Sequence, residues 1–193
     1  MSAGTGTGGR AATGGGTGRS AGAGTGLPVI SRVLPPVAER AAANARMVAL
    51  LTGPEPGPVA EHLALLHFTG RRSGAAHTVP AGLHRVGGGL FVATGSSWRH
   101  NFAGGAPGEI TWRGNRSPVR FTLVTDGERT ACGYHELYER YGPEAAQRRL
   151  GITVDAAATP TPADFRAAVT GIPLALVAVD LLTASVTNER TSR

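Results

Sequence analysis

Two adjacent arginines between glycines are the residues of this chain best suited to bind an anion. The segment reads Gly70-Arg71-Arg72-Ser73-Gly74. A turn of this composition offers two guanidinium groups, a hydroxyl and backbone N–H groups at one point, which suits a phosphate. Glycine at both ends lets the backbone approach a ligand closely, and arginine pairs with phosphate through parallel hydrogen bonds. The alternative is a solvated β-turn that carries two exposed charges.

Strands must position that turn. The apolar run Leu63–Thr69 precedes it, and the residues that follow predict strands at Thr78–Val86 and Leu90–Thr94. Three glycines at positions 87–89 supply the backbone freedom that a hairpin between these two strands needs. We therefore expect the arginines at the end of a buried strand.

The rest of the chain predicts further strands and several helices. Strands are predicted at Glu109–Arg113 and Val119–Val124, as a hairpin across residues 114–117, and at Ile172–Val179. Helices or helical turns are predicted at Val37–Leu51, Trp98–Phe102, Tyr134–Leu150 with a break at residues 142–143, and Phe165–Thr170. Antiparallel strands closed by a returning last strand, with helices packed outside, predict a mainly β protein with flanking helices (α+β) and a small barrel.

One domain accounts for a chain of 193 residues. Residues 1–26 are almost entirely Gly, Ala, Thr and Ser, which bury too little surface to offset the entropy of ordering, so they predict a disordered tail. Residues 27–58 predict a helix and a Pro-rich linker, residues 59–184 the barrel domain, and residues 185–193 a flexible C-terminus.

Composition limits the classes of partner and the cellular compartment that are expected for the chain. All 19 basic residues are arginine, a usage typical of a GC-rich genome, so the net charge of +6 is weak evidence for nucleic acid, and no nucleic-acid motif accompanies it. The single cysteine, Cys132, excludes an internal disulfide and favours a reducing cytoplasm. No apolar run is long enough to span a bilayer, so no transmembrane segment is expected, and peripheral contact with a membrane is left open.

Several motifs in fixed order carry a resemblance to a known family. They are Thr69–Gly74, Thr78–Pro80, a Gly-rich hairpin, Trp98-Arg99-His100-Asn101, and Gly108–Gly114. Together they resemble the deazaflavin (F420)-dependent nitroreductase family over residues 63–124 and onward to the strand at Ile172. The resemblance implies a split β-barrel of the FMN-binding or flavin-reductase type, a homodimer, and hydride transfer from reduced F420 to a small-molecule electron acceptor such as a quinone, a nitro compound or an activated alkene.

The resemblance also implies which residues bind the cofactor. Arg71, Arg72 and Ser73 match the turn that holds the cofactor's phosphate and acidic tail, and Trp98 and Asn101 match the segment that closes over the ring. The full implied set is Thr69, Gly70, Arg71, Arg72, Ser73, Gly74, His77, Thr78, Val79, Pro80, Thr94, Gly95, Ser96, Trp98, Arg99 and Asn101.

The chain departs from the family pattern in three places. His77 stands where many members carry an arginine, Arg99 stands where a tyrosine often follows the tryptophan, and the loop from Thr94 to Trp98 is shorter. FMN and haem are the alternatives to F420, and a non-catalytic carrier of such a group is the alternative to an enzyme.

Several of these residues also have a purely structural interpretation. Trp98 suits the core at a barrel end, and Asn101 suits a helix cap. His77 and His100 have no carboxylate nearby in sequence, and hydride chemistry mainly needs a positioned cofactor, so we assign no catalytic residue. The six histidines lack metal-ligand spacing, so no metal site is predicted, although one histidine is enough to ligate a haem.

Overall fold

The computed structural model describes residues 29–32 and 36–182. The predicted disordered tail and the predicted flexible C-terminus lie outside these residues. The strands are β1 (Ile30–Ser31), β2 (Leu63–Thr69), β3 (Ala76–Val86), β4 (Gly89–Thr94), β5 (Ala106–Trp112), β6 (Asn115–Leu123), β7 (Thr153–Val154) and β8 (Ala175–Leu181). The helices are α1 (Val37–Thr52), α2 (Gly127–Leu150) and α3 (Pro162–Gly171), with 3-10 helices at Gly57–Glu61 and Ser97–Phe102.

Six strands form a closed barrel in the order β2-β3-β4-β8-β6-β5, and every pairing is antiparallel. The last strand, β8, lies between β4 and β6, so a returning strand closes the barrel as predicted. The two short strands β1 and β7 pair with each other outside the barrel. The predicted fold class, a mainly β barrel with flanking helices, is confirmed.

Successive side chains of the strands alternate between the interior of the barrel and its outer surface, so the apolar core has one part inside the barrel and another outside it. From β2, Ala64, Leu66 and Phe68 join the barrel interior with Phe102 and Phe121. The intervening Leu65 is fully buried on the other face, against α1 and the first 3-10 helix. Successive residues of a strand point to opposite faces, so both faces of β2 are covered. This double burial fixes the strand that carries the arginine turn.

Helices α2 and α3 cover the outer faces of β4 and β8. Phe91 and Leu176 from these strands pack with Tyr134, Leu137 and Phe165 from the helices. At about 25 cal/mol per Å² of apolar area, fully burying one such side chain stabilises the fold by about 1.5–3 kcal/mol. This cluster holds β4, and with it the loop that follows Thr94, against the helical layer.

Several predicted boundaries differ from the structure, and three of the differences have a clear physical reason. The hairpin turn between β5 and β6 is the two-residue turn Arg113-Gly114, where both residues have positive φ (51° and 77°), so Asn115 already belongs to β6. Helix α2 begins at Gly127 instead of residue 134, because the side chain of Asp126 accepts hydrogen bonds from two N–H groups of the first turn. Strand β8 begins at Ala175 instead of Ile172, beyond Pro173, which has no N–H to donate.

Candidate functional site

The turn between β2 and β3 and the 3-10 helix Ser97–Phe102 enclose a cavity of about 340 Å³, which we call the turn pocket. The predicted anion-binding segment supplies one wall, and the segment after β4 supplies the other. The lining residues are Gly70, Arg71, Arg72, Ser73, His77, Ser97, His100 and Asn101.

Hydrogen bonds within the turn engage three of the six backbone N–H groups of residues 70–75. The N–H of Gly70 donates to the carbonyl of Ala75, and the N–H of Gly74 donates to the carbonyl of Gly70, both at 2.8 Å. The N–H of Ala75 donates to Ser73 Oγ at 3.2 Å. Among the hydrogen bonds of the described residues, the N–H groups of Arg72 and Ser73 have no acceptor. Two backbone donors are thus left for a ligand.

The side chains of the turn add positive charge that no carboxylate of the described residues neutralises. Arg71 and Arg72 are exposed, and within residues 29–32 and 36–182 neither takes part in an ion pair. Ser73 Oγ accepts one hydrogen bond, which leaves its proton to donate. Two guanidinium groups, one hydroxyl and two N–H groups make a donor set that suits a phosphate.

Gly70 leaves the space that this arrangement needs. A Cβ at this position would lie 2.6 Å from Ser73 Oγ and 2.8 Å from His77 Nε2, so a side chain there would displace both groups. The ring of His77 stacks on Phe68, with 5.3 Å between the centroids. The turn therefore folds closely over Gly70 and is supported from the barrel by Phe68.

Asn101 connects the two walls. Its Oδ1 accepts the N–H of Arg71 at 2.9 Å, and its Nδ2 donates to the carbonyl of Trp98 at 2.8 Å. Both ends of the carboxamide are occupied by protein groups. Asn101 thus positions the arginine turn relative to the 3-10 helix.

A second cavity of about 360 Å³ is lined by Ser96 and Trp98, the two neighbours of Ser97 in sequence, and we call it the arginine cleft. Its floor comes from β3 and β4, and its rim comes from the segment after β1, from α1, and from the end of α2. The lining residues are Arg32, Arg40, Ala43, Asn44, Val79, Pro80, Ala81, Gly82, Val92, Ala93, Thr94, Ser96, Trp98, Arg148, Arg149, Leu150 and Gly151.

Two arginines of the rim are partly buried. Nε of Arg32 and Nε of Arg40 are both buried without a hydrogen-bond partner in the described part of the chain. Burial lowers the pKa of the Arg32 guanidinium below its usual range, and the positive charges of Arg40 and Arg99 lower it further. The positively charged guanidinium groups of Arg32 and Arg40 are therefore close together at a partly buried part of the rim.

Arg99 holds the loop between the two cavities. Its Nη1 donates to the carbonyls of Gly95 and Ser96, at 2.9 and 3.0 Å. The Ser96 N–H in turn donates to Oγ1 of the buried Thr94 at 3.1 Å. The adjacent Trp98 packs its ring near Phe68, with 6.1 Å between the centroids. The residues that separate the cavities are thus tied to the barrel.

A third cavity continues the arginine cleft along β3 and shares its residues 80–82, 148 and 149. It holds the buried His84, whose Nδ1 lies 3.0 Å from the hydroxyl of Tyr141 and whose Nε2 has no partner in the described part of the chain. Burial lowers the pKa of His84 to about 4, with a further contribution from the charge of Arg149. The imidazole is neutral at neutral pH.

The structure divides the predicted cofactor-binding residues between the two cavities. Those in the turn pocket are Gly70, Arg71, Arg72, Ser73, His77 and Asn101. Those in the arginine cleft are Val79, Pro80, Thr94, Ser96 and Trp98. The remaining predicted residues line neither cavity: Thr69, Gly74, Thr78, Gly95 and Arg99.

Some of these remaining residues support the site from behind. Thr78 Oγ1 lies 3.2 Å from His67 Nδ1, and Gly95 lies beneath the guanidinium of Arg32 and the carbonyl of Pro173. The rim arginines of the cleft were not predicted. They are far apart in sequence, and Arg148 and Arg149 in the last turn of α2 look like ordinary complements of a helix dipole.

In residues 29–32 and 36–182, no three His, Cys, Asp or Glu side chains converge as metal ligands. No described helix is both long and apolar enough to cross a membrane.

No protein-family model matches the chain, and no curated protein does. Ten chains of solved structures match. ChuZ of Campylobacter jejuni is 13% identical with a TM-score of 0.37, and the match covers 77% of this chain and 55% of that one. The FAD and heme binding protein from Mycobacterium smegmatis is 18% identical with a TM-score of 0.29, over 86% of this chain and 93% of that one.

The chain thus spans about half the length of ChuZ. At these identities and TM-scores, neither likeness carries an argument about function.

Proposed function

We propose that the protein is a reductase that binds the deazaflavin cofactor F420. The observation that carries the proposal is the turn pocket, where Arg71, Arg72 and Ser73 present unopposed donors to one cavity. The resemblance of the motifs at residues 69–74, 78–80 and 98–101 to the F420-dependent nitroreductase family supports the same conclusion.

The turn pocket fits the phosphate of such a cofactor. Charge-assisted hydrogen bonds from guanidinium groups are the strongest that a protein offers to a phosphate. The close fold over Gly70 brings Ser73 and His77 to the same place. Because Asn101 fixes the backbone of Arg71, the donors are held before a ligand arrives, which lowers the cost of binding.

The floor of the arginine cleft suits a flat ring. Val79 and Pro80 supply an apolar surface on β3, and the partly buried Trp98 borders it. When bound in its reduced form, F420 supplies a hydride to an electron-poor acceptor such as a quinone, a nitro compound or an activated alkene. The residues of the chain bind, orient and shield the reactants, which is the contribution that proximity makes to such a reaction.

Other parts of the proposal concern the assembly and the cell. We expect a homodimer that works in the cytoplasm on a small-molecule acceptor, without nucleic acid. Sedimentation of the purified full chain measures the oligomeric state.

The test compares cofactor binding by the native protein and by variants. F420 and FMN are titrated in parallel, followed by the fluorescence of each cofactor. We expect F420 to bind more tightly than FMN, and Arg71→Ala/Arg72→Ala to weaken F420 about 100-fold through the loss of two charge-assisted contacts. The matched control is Arg85→Ala/Arg129→Ala, which removes the same charge from exposed positions outside both cavities.

Two outcomes contradict the proposal. One is the absence of F420 binding by the native protein. The other is F420 binding that both double variants weaken equally, which indicates non-specific attraction. Turnover of reduced F420 with a quinone or a nitro compound then separates a reductase from a carrier that binds the cofactor without reaction.

A further inference from the structure

The arginine cleft carries a charge that its surroundings do not balance. Four arginines line it, namely Arg32, Arg40, Arg148 and Arg149, and no Asp or Glu is among its lining residues. None of the four forms an ion pair within the described residues. In the sequence, residues 1–28 and 33–35 contain no acid, and residues 183–193 contain only Glu189.

Two of these arginines have donors that are buried without an acceptor. Nε of Arg32 and Nε of Arg40 lie out of solvent, and the described residues offer neither a partner. A buried donor that lacks a hydrogen bond destabilises the folded protein, and more so when the group is charged. Together with the repulsion between neighbouring guanidinium groups, this destabilisation makes an anion in the cleft favourable.

The four arginines come from three separate elements that form the rim of the cleft. Arg32 follows β1, Arg40 lies on α1, and Arg148 and Arg149 lie in the last turn of α2. The guanidinium of Arg149 lies over the ring of Tyr141, 4.9 Å from its centroid, which restrains it beside the cavity. Charges from three separate elements thus face one cavity.

The floor of the same cavity is apolar. Val79, Pro80 and Ala81 from β3 lie beside Val92 and Ala93 from β4. A volume of about 360 Å³ is within the range of small-molecule sites. An apolar floor under a cationic rim suits a ligand with a flat apolar body and a carboxylate, because arginine pairs with carboxylates through two parallel hydrogen bonds.

We propose that the arginine cleft binds a flat apolar acid through its carboxylate, and that such an acid is the electron acceptor of the protein. The second half rests on the proposed function, since only a reductase has an acceptor. With the cofactor ring on the floor formed by Val79 and Pro80, the acid lies against the ring and its carboxylate pairs with the rim arginines. Without cofactor, the apolar body of the acid lies on that floor. The first half concerns binding alone and holds for the cofactor-free protein.

The test uses a matched pair of probes, 4-nitrobenzoate and 4-nitrobenzamide, which share an electron-poor ring and differ in charge. Binding to the full chain without cofactor is followed by calorimetry and by the fluorescence of Trp98 in a Trp112→Phe background, where it is the only tryptophan. We expect 4-nitrobenzoate to bind about tenfold more tightly than 4-nitrobenzamide, because only the acid forms charge-assisted bonds.

Two double variants test whether the tighter binding of 4-nitrobenzoate depends on the arginines of the cleft. Arg32→Gln/Arg40→Gln and Arg148→Gln/Arg149→Gln should each weaken 4-nitrobenzoate about tenfold and leave 4-nitrobenzamide unchanged. Arg148 and Arg149 are exposed, so the second variant keeps the test valid if the first does not fold. Arg85→Gln/Arg129→Gln removes the same charge outside the cleft and should change neither probe.

Equal affinity for both probes, or an equal loss in the cleft and control variants, overturns the proposal. The F420 titration described above separates the two conclusions. If 4-nitrobenzoate binds as expected and F420 does not bind, the proposed function fails and the cleft remains an acid site. If F420 binds through Arg71 and Arg72 while the probes do not differ, the reductase stands and the acceptor is not an acid of this kind.

Discussion

The turn pocket and the arginine cleft both present arginines, but they hold the charge in different ways. Arg71 and Arg72 are exposed on a turn whose own hydrogen bonds fix the backbone beneath them. Arg32 and Arg40 are partly buried on the rim of the cleft, with donors that the described residues leave without acceptors. The backbone of the turn pocket is held by its own hydrogen bonds when no ligand is bound. In the arginine cleft, burial of the guanidinium groups and repulsion between them destabilise the site until an anion binds.

The two sites also differ in how far they depend on the packing of the whole molecule. Two segments close in sequence build the turn pocket, and one asparagine connects them. The arginine cleft needs β1, α1, β3, β4 and the end of α2 in place together. Changes in the helical layer should therefore affect the cleft first.

The largest effect is expected from Gly95→Ala. A Cβ at Gly95 would collide with the backbone carbonyl of Pro173 and with the guanidinium of Arg32. Because a carbonyl cannot turn aside as a side chain can, the free energy of unfolding should fall by about 3 kcal/mol or more. Urea denaturation measures it. Binding of 4-nitrobenzoate in the cleft should weaken, while the turn pocket keeps its geometry.

Gly171→Ala is the control for that change, because a Cβ at Gly171 meets no atom within 4 Å. It should leave the unfolding free energy nearly unchanged. If the two variants are equally stable, the close contact around Gly95 does not restrain the cleft.

The next effect concerns pH and the buried His84. Its pKa is lowered to about 4 in the folded protein from an ordinary value of 6.5, chiefly by burial. The unfolded chain binds the proton more readily, so this contribution to stability is complete above pH 6.5 and is lost as the pH falls towards about 4. The loss amounts to roughly 3 kcal/mol, at 1.36 kcal/mol for each pKa unit.

Urea denaturation at neutral and acidic pH tests this contribution in His84→Gln. The variant should lose less stability on acidification than the native protein does. His100→Gln removes an exposed imidazole that is not among the groups acting on the pKa of His84, and serves as the control. Equal pH dependence in the native protein and in His84→Gln would mean that the cavity beside the cleft is wet enough to protonate His84.

The smallest effect is expected in the turn pocket. Asn101→Ala removes the hydrogen bonds to the Arg71 N–H and the Trp98 carbonyl, which join its two walls. Stability should fall by only about 1 kcal/mol, because these groups gain access to water. F420 affinity should fall about tenfold, because the arginine turn is no longer held before binding.

Fluorescence titration of F420 measures that change. Asn115→Ala is the matched control, since the Asn115 side chain donates only to the carbonyl of Arg113 in a distant hairpin. An unchanged F420 affinity in Asn101→Ala would show that the turn is held without this connection.

Much of the barrel follows from local patterns. The apolar run at Leu63–Thr69 and the glycines at 87–89 predicted β2 and the turn between β3 and β4 correctly. The start of α2 was missed because the N-cap Asp126 precedes a first turn that contains few apolar residues. The strands β1 and β7 are two residues each, too short for any periodicity to show.

The two cavities also differ in how far the sequence predicts them. Residues Arg71, Arg72 and Ser73 share a cavity because one turn carries them, and residue type and spacing are enough to predict it. Arg32 and Arg149 meet only after the helices have packed on the barrel. Nothing local distinguishes them from other solvated arginines of the chain, so sequence reasoning had no signal for the cleft.

The place of β8 between β4 and β6 has a consequence for synthesis. The strands from β2 to β6 leave the ribosome first, and β4 and β6 then each carry an open edge of unpaired backbone groups. Only when residues 175–181 have been translated can both edges be paired. The barrel therefore cannot close before β8 has been made, and the floor of the arginine cleft becomes rigid later than the strands that pair with their neighbours in sequence.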